Sequence, residues 1–140
     1  MAFTGNFSCN TLRSGLASGS FNFSTDVFRL ALYTNAATLD QTTTAYTATG
    51  ETTGGNYAAT GLVVTATVST ELASSGSIVF INFSSPAWTG VITARGALIY
   101  KAGANGAVCV LDFGNDKTST NTFTVTMPAN TSTSALIRLV

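Results

Sequence analysis

The chain has 140 residues, a formal net charge of zero and only 9% charged residues, against roughly 25% in typical domains. That length supports one sizeable core and not two. Neutrality removes any charge-based pull towards nucleic acid or an anionic membrane, and no apolar run approaches the roughly 18 residues of a membrane span. With no histidine, a Ser–His–Asp arrangement cannot be built. Two cysteines a hundred residues apart, Cys9 and Cys109, exclude a zinc site in practice. Ser and Thr together number 39, so the polar surface is mostly hydroxyl. So few charges favour association, and the composition suits a chain packed into an assembly.

The opening "MAFTGNFSCN" lacks the basic start and apolar stretch of a secretory signal. The sequons at Asn6, Asn22, Asn82 and Asn130 then read as by-products of a Ser/Thr-rich chain. "CNTLRSGLASG" (9–19) predicts a short helix: Asn10 as cap, Leu12 and Leu16 on one face, Gly19 as stop. So short a helix needs a surface to dock on. Residues 1–24 read as an N-terminal arm carrying it. "VFRLALYT" (27–34) alternates, with Phe28, Leu30 and Leu32 on one face and Arg29 and Tyr33 on the other. Residues 35–60 are irregular, with a short strand expected near 43–48 and a turn at Gly54-Gly55-Asn56. They read as a contact loop.

"LVVTATVST" (62–70) reads as one strand, with Leu62, Val64, Ala66 and Val68 on one face. Ser75-Gly76 separates it from "SIVFINF" (77–83), which is apolar on both faces and so central. Trp88 falls in the Pro-containing loop "SSPAWTG" (84–90). It reads as a plug at the end of the sandwich or an interface anchor. "VITARGALIYK" (91–101), "AVCVLDF" (107–113), "TFTVTM" (122–127), ended by Pro128, and "ALIRLV" (135–140) complete seven runs. They predict an all-β fold, an antiparallel sandwich of jelly-roll or immunoglobulin-like type with about seven to eight strands.

Asn105-Gly106 predicts a two-residue type I′ hairpin. In that register Tyr100 faces Leu111 and Leu98 faces Phe113 on the core side with Cys109. Ile99 faces Asp112 and Lys101 faces Val110 on the other. Lys101 and Asp112 become diagonal neighbours, a structural pair. This gives Asp112-Phe113-Gly114 a bland account. In a kinase the tripeptide holds magnesium, but the Gly-rich loop, strand lysine and catalytic loop are missing. Asp112, Asn115, Asp116 and Ser119 supply oxygen ligands of the type calcium takes, yet without the EF-hand spacing. Asp116 reads as an Asx-turn residue. Asp26, Asp40, Glu51, Glu71, Asp112 and Asp116 form no paired-carboxylate signature. No catalytic residue, metal or cofactor is expected, and the chain reads as no enzyme. Cys109 reads as a small buried hydrophobe and Cys9 as free, a bridge between them being the alternative. Trp88 with Tyr33, Tyr46, Tyr57 and Tyr100 would be the residues of a sugar-stacking platform.

Five stretches together carry a resemblance: "MAFTGNFSCNTLRSGL", "FRLALYTNAATLDQTTTAYTATGE" (28–51), "ITARGALIYK" (92–101), "AVCVLDFGNDKTST" (107–120) and "ALIRLV". The chain resembles, over almost its whole length, a family of small virion structural proteins of tailed bacteriophages, including phages of cyanobacteria and other aquatic bacteria. The resemblance implies a capsid decoration or cement protein in the virion. Its partners would be the major capsid protein or other virion subunits, in symmetric copies on a lattice, with no nucleic acid or membrane partner. The alternative is a tail, neck or spike component, including a module that binds host glycan through Trp88 and the Tyr57 loop. Candidate interface residues are Phe3, Phe7, Leu12, Tyr46, Tyr57 and Trp88. Under this reading, removing residues 1–20 weakens particle binding and leaves the sandwich folded.

Overall fold

A computed structural model describes residues 3–73 and 76–139. Ser75, in the expected separator before Gly76, lies outside them. The chain is an all-β antiparallel sandwich with one short helix. Ten strands appear among the described residues, more than the sequence predicts, because short pairings count. They are β1 (Phe7–Ser8), β2 (Phe28–Tyr33), β3 (Leu62–Val64), β4 (Ala66–Ala73), β5 (Gly76–Phe83), β6 (Ala87–Thr89), β7 (Thr93–Lys101), β8 (Ala107–Thr118), β9 (Thr122–Thr124) and β10 (Ile137–Leu139). The helix α1 spans Asn10–Ser18. The large sheet has the order β1-β8-β7-β2-β3 and the small one β10-β5-β4, while β6 pairs with β9. β5 is central in its sheet, as its apolar faces require.

The large sheet is buried on both faces. On one, Phe28, Leu30 and Leu32 meet Ile81, Phe83 and Ile137 of the small sheet, with Ile99, Val108 and Cys109 beside them. On the other, Ala31, Tyr33, Leu98, Tyr100 and Val110 are covered by Phe3, Cys9, Ala37 and Leu39, with Tyr46 packed against them. The irregular segment is therefore a cover, not a free contact loop. No strand forms at 43–48; backbone groups there find partners on the sheet instead, as buried amides must. Ala107 N–H bonds Thr44 O at 3.0 Å, and Asn10 N–H bonds Gln41 O at 2.8 Å. Gly54 and Gly55 make the expected turn with positive φ.

Residues 3–24 belong to the body and not to a detachable arm. β1 pairs with β8, and Phe3 packs closely against Gly96, where an added Cβ would sit 2.5 Å from its ring. Phe21, Phe23 and Phe28 stack, with Phe23 and Phe28 centroids 4.9 Å apart. The helix caps on Cys9, with Asn10 its first residue, and closes at Gly19 (φ 77). Its Thr11 hydroxyl bonds Ala107 O at 2.6 Å, which docks it on β8.

The run 62–70 divides at Thr65. β3 pairs in the large sheet, β4 in the small one. Thr65 N–H bonds Ser84 Oγ at 2.8 Å, and Ser84 N–H bonds Thr65 O at 2.9 Å, so one corner ties the two layers together.

The β7–β8 hairpin also departs from the type I′ expectation. Asn105 has positive φ (58) but Gly106 does not, and the turn spans 102–106. Gly106 is needed for another reason: a Cβ there would lie 2.0 Å from Lys101 O. Leu98 pairs Val110, Ile99 pairs Cys109 and Tyr100 pairs Ala107. Leu98 and Tyr100 thus face the outer core, and Ile99 with Cys109 the main one. Both faces of both strands are apolar, so alternation could not select the register.

Candidate functional site

The changed register separates Lys101 from Asp112. Lys101 Nζ pairs with Asp26 at 3.0 Å, bonds Ser20 O and sits 4.9 Å over the Phe21 ring. It staples the segment after the helix to the sheet. The Asn22 amide, then Lys101, hold the Asp26 carboxyl below its ordinary range. Asp112 lies opposite Gly96 and pairs with Arg95 at 3.4 Å. Its own N–H bonds Asn6 Oδ1 at 2.7 Å, and its Oδ1 accepts from Gly114 N–H at 2.8 Å. Asp112, and not Asp116, therefore makes the Asx-type turn. Gly114 (φ 85) sits in a bulge where 113–116 oppose Arg95 alone. β8 continues to Thr118, so the expected turn at 114–119 is strand for most of its length. Leu111 and Phe113 pack on the main core. Among the described residues no three His, Cys, Asp or Glu side chains gather as a metal group.

The densest polar cluster was not foreseen. Glu51 accepts from Tyr46 Oη at 2.5 Å, from Tyr57 Oη at 2.6 Å and from Thr60 N–H at 2.8 Å. Tyr57 Oη also accepts from Leu32 N–H at 2.9 Å. Tyr33 donates to Thr47 O, and Tyr100 to Thr60 O, each at 2.7 Å. Burial, then the hydrogen bond to Glu51, pushes the Tyr46 phenol up to about 12. The same two causes raise Tyr57 further, and burial raises Tyr33 and Tyr100. Tyr33 and Tyr100 thus donate from the sheet to the 34–60 cover, Tyr57 accepts from the sheet, and Tyr46 ties the cover to itself through Glu51, all four as neutral phenols. A Thr-rich, weakly periodic segment carries one acid and two phenols within twelve residues (46–57), and that spacing is the only signal sequence offers.

The stacking platform is divided. Tyr46 stacks on Tyr100 at 5.1 Å in one region, and Tyr57 packs on Trp88 at 5.5 Å in another. Trp88 stands on β6 opposite Phe123, 2% exposed, its Nε1 without a hydrogen-bond partner among the described residues. It is a plug. Phe3 and Leu12 are equally buried, so three of the candidate interface residues belong to this chain's own core. Phe7, Tyr46 and Tyr57 are half-buried. The apolar side chains that do reach solvent include Val68, Leu72 and Leu139.

Both cysteines are free and buried. Burial, then the nearby Asp40 charge, pushes the Cys9 thiol up to about 11, and burial raises Cys109 further, which suits inert packing groups. An open groove of about 450 Å³ runs between the end of β8 and β9, lined by Phe113, Lys117, Phe123 and threonines. A second, of about 320 Å³, separates β1 from β10.

No family model, no curated protein and no solved structure matches this chain.

Proposed function

We propose that the protein is a virion structural protein of a tailed bacteriophage, a head decoration or cement protein that binds the capsid shell non-covalently. The observation that carries the reading is the resemblance of five stretches distributed along the chain. A supporting observation is how the polar side chains are spent. Glu51 and the tyrosines hold the cover, Lys101 and Asp26 hold the helix segment, and Asp112 holds a bulge. These groups serve rigidity, the property a shell-reinforcing subunit needs. Such a subunit works by adding buried surface across subunit junctions, where a stable contact takes on the order of 1,200–2,000 Å².

The contact residues of this proposal differ from those the sequence suggested. With Phe3, Leu12 and Trp88 internal, the shell contact falls on exposed apolar and hydroxyl positions. Density mapping of purified particles tests the reading. The expected result is the sandwich seated at symmetry-related positions on the head. Density at the tail or neck would transfer the protein to that role, and its absence from particles, with the protein confined to infected-cell extract, would sink both.

A further inference from the structure

The free edges of the sheets are not alike. β1 has two residues, and β3, β6, β9 and β10 have three each. β4 has eight, paired with β5 over eight consecutive positions without a register shift. Its other side carries no strand among the described residues. Long edges are normally blunted by proline, lysine or a bulge. "ATVSTELA" has no proline or lysine, and its one charge is Glu71.

The face is as unusual as the edge. Val68 pairs with Ile81, a core residue, and Leu72 with Ser77 on the same side of the sheet. Val68 and Leu72 therefore point to the side that the sandwich body covers elsewhere. Yet they are 46% and 82% exposed, because the β4–β5 ribbon runs on past the body. Leu139, paired with Val79, continues the apolar strip across the sheet and is 43% exposed.

We propose that β4 pairs antiparallel with β4 of a second copy of this chain, about a two-fold axis through Thr70. The side-chain order of β4 is self-complementary in that register. Val68 stands opposite Leu72 of the other copy, twice, and Ser69 stands opposite Glu71, twice. Sliding by two residues towards the tip of the ribbon sets Glu71 against Glu71. Sliding towards its root separates Val68 from Leu72. An odd slide turns the apolar face of one copy to the polar face of the other. A second copy supplies this match by symmetry, because β4 carries Val68 and Leu72 at equal distances from Thr70, and it is the occupant proposed. Pairing also satisfies the open backbone edge, as in strand addition generally. Because the strands run opposite ways, each projecting tip lies beside the root of the other copy's β4, on the side where that copy's body stands. The proposal does not depend on the virion reading.

Light scattering on the eluting full chain gives the first test: twice the chain mass is expected, and a monomer at high micromolar concentration overturns the proposal. The double variant Val68→Glu with Leu72→Glu sets like charges across the two-fold and is expected to run as a monomer with an unchanged circular dichroism spectrum. Val68→Lys with Leu72→Lys behaves the same alone, and mixing the two restores the dimer. A glutamate variant that stays dimeric, or a mixture that stays monomeric, refutes the register. Thr70→Cys provides a second, fold-independent arm. Its oxidation links two copies, whereas Thr67→Cys, far from its own counterpart, does not. Equal cross-linking of the two also refutes the register.

Discussion

The 34–60 cover and the β4–β5 ribbon solve opposite problems. The cover has almost no regular structure, yet it is held by phenol, carboxylate and backbone bonds, with Tyr33 buried beneath it and its own Leu39 buried against the sheet. The ribbon has an unbroken ladder, yet Val68 and Leu72 lie open. Regularity of backbone and completeness of burial are thus separate properties. A segment without a ladder can be rigid if each polar group finds a partner, and a perfect ladder can be unfinished if one face and one edge lack theirs.

Substitutions break this comparison in a graded order. Phe3→Ala is expected to cost the most, about 3–5 kcal/mol in chemical denaturation, since Phe3 fills the space over Gly96. A free arm would lose nothing, so a neutral result would return residues 1–24 to that role. Glu51→Ala comes next, at about 2–4 kcal/mol, because two phenols and the Thr60 amide lose a charged acceptor together. If single Tyr46→Phe and Tyr57→Phe variants cost nothing, the cluster is not what fastens the cover.

Alkaline titration tests the same fastening without mutation. The phenols of the folded protein titrate above their ordinary value of 10, Tyr46 at about 12. Folding therefore favours the neutral forms, and this stability is complete below pH 10 and drains as pH rises through about 12. Tyrosinate absorbance is expected to lag behind free tyrosine and to appear together with loss of the folded spectrum. A free-tyrosine curve in the native protein would contradict the burial of the cover.

Smaller effects separate the observed partner of Lys101 from the one the sequence suggested. A double-mutant cycle of Lys101 with Asp26 should show a coupling of about 0.2–1 kcal/mol, the range of part-exposed pairs. The cycle of Lys101 with Asp112 should show none, and coupling there would restore the two-residue hairpin. Smallest of all is Leu72→Ser, within about 0.5 kcal/mol in the stability of the isolated fold. A large loss would mean that the ribbon is packed against its own body.

Local patterns that need only one chain segment were legible in the sequence. The alternation of β2 put Phe28, Leu30 and Leu32 on one face. The two-faced apolar run of β5 made it central. Gly19 ended the helix, and Gly54-Gly55 turned the chain. These follow from steric limits and from the two-residue period of a strand. What depends on two segments meeting was not legible. The register of β7 on β8 was hidden because both faces of each are apolar, so a slip exchanges one core for another at little cost. The break at Thr65 was hidden because the corner bond comes from Ser84, nineteen residues away. The partners of Lys101 and Trp88 were set by elements far along the chain, through distances that composition and period do not carry. The sequence by itself determined the all-β class, the courses of the longer strands and many of the apolar residues that are buried. Only the tertiary structure decided what each one is buried against, because contact is a property of pairs brought together by the fold.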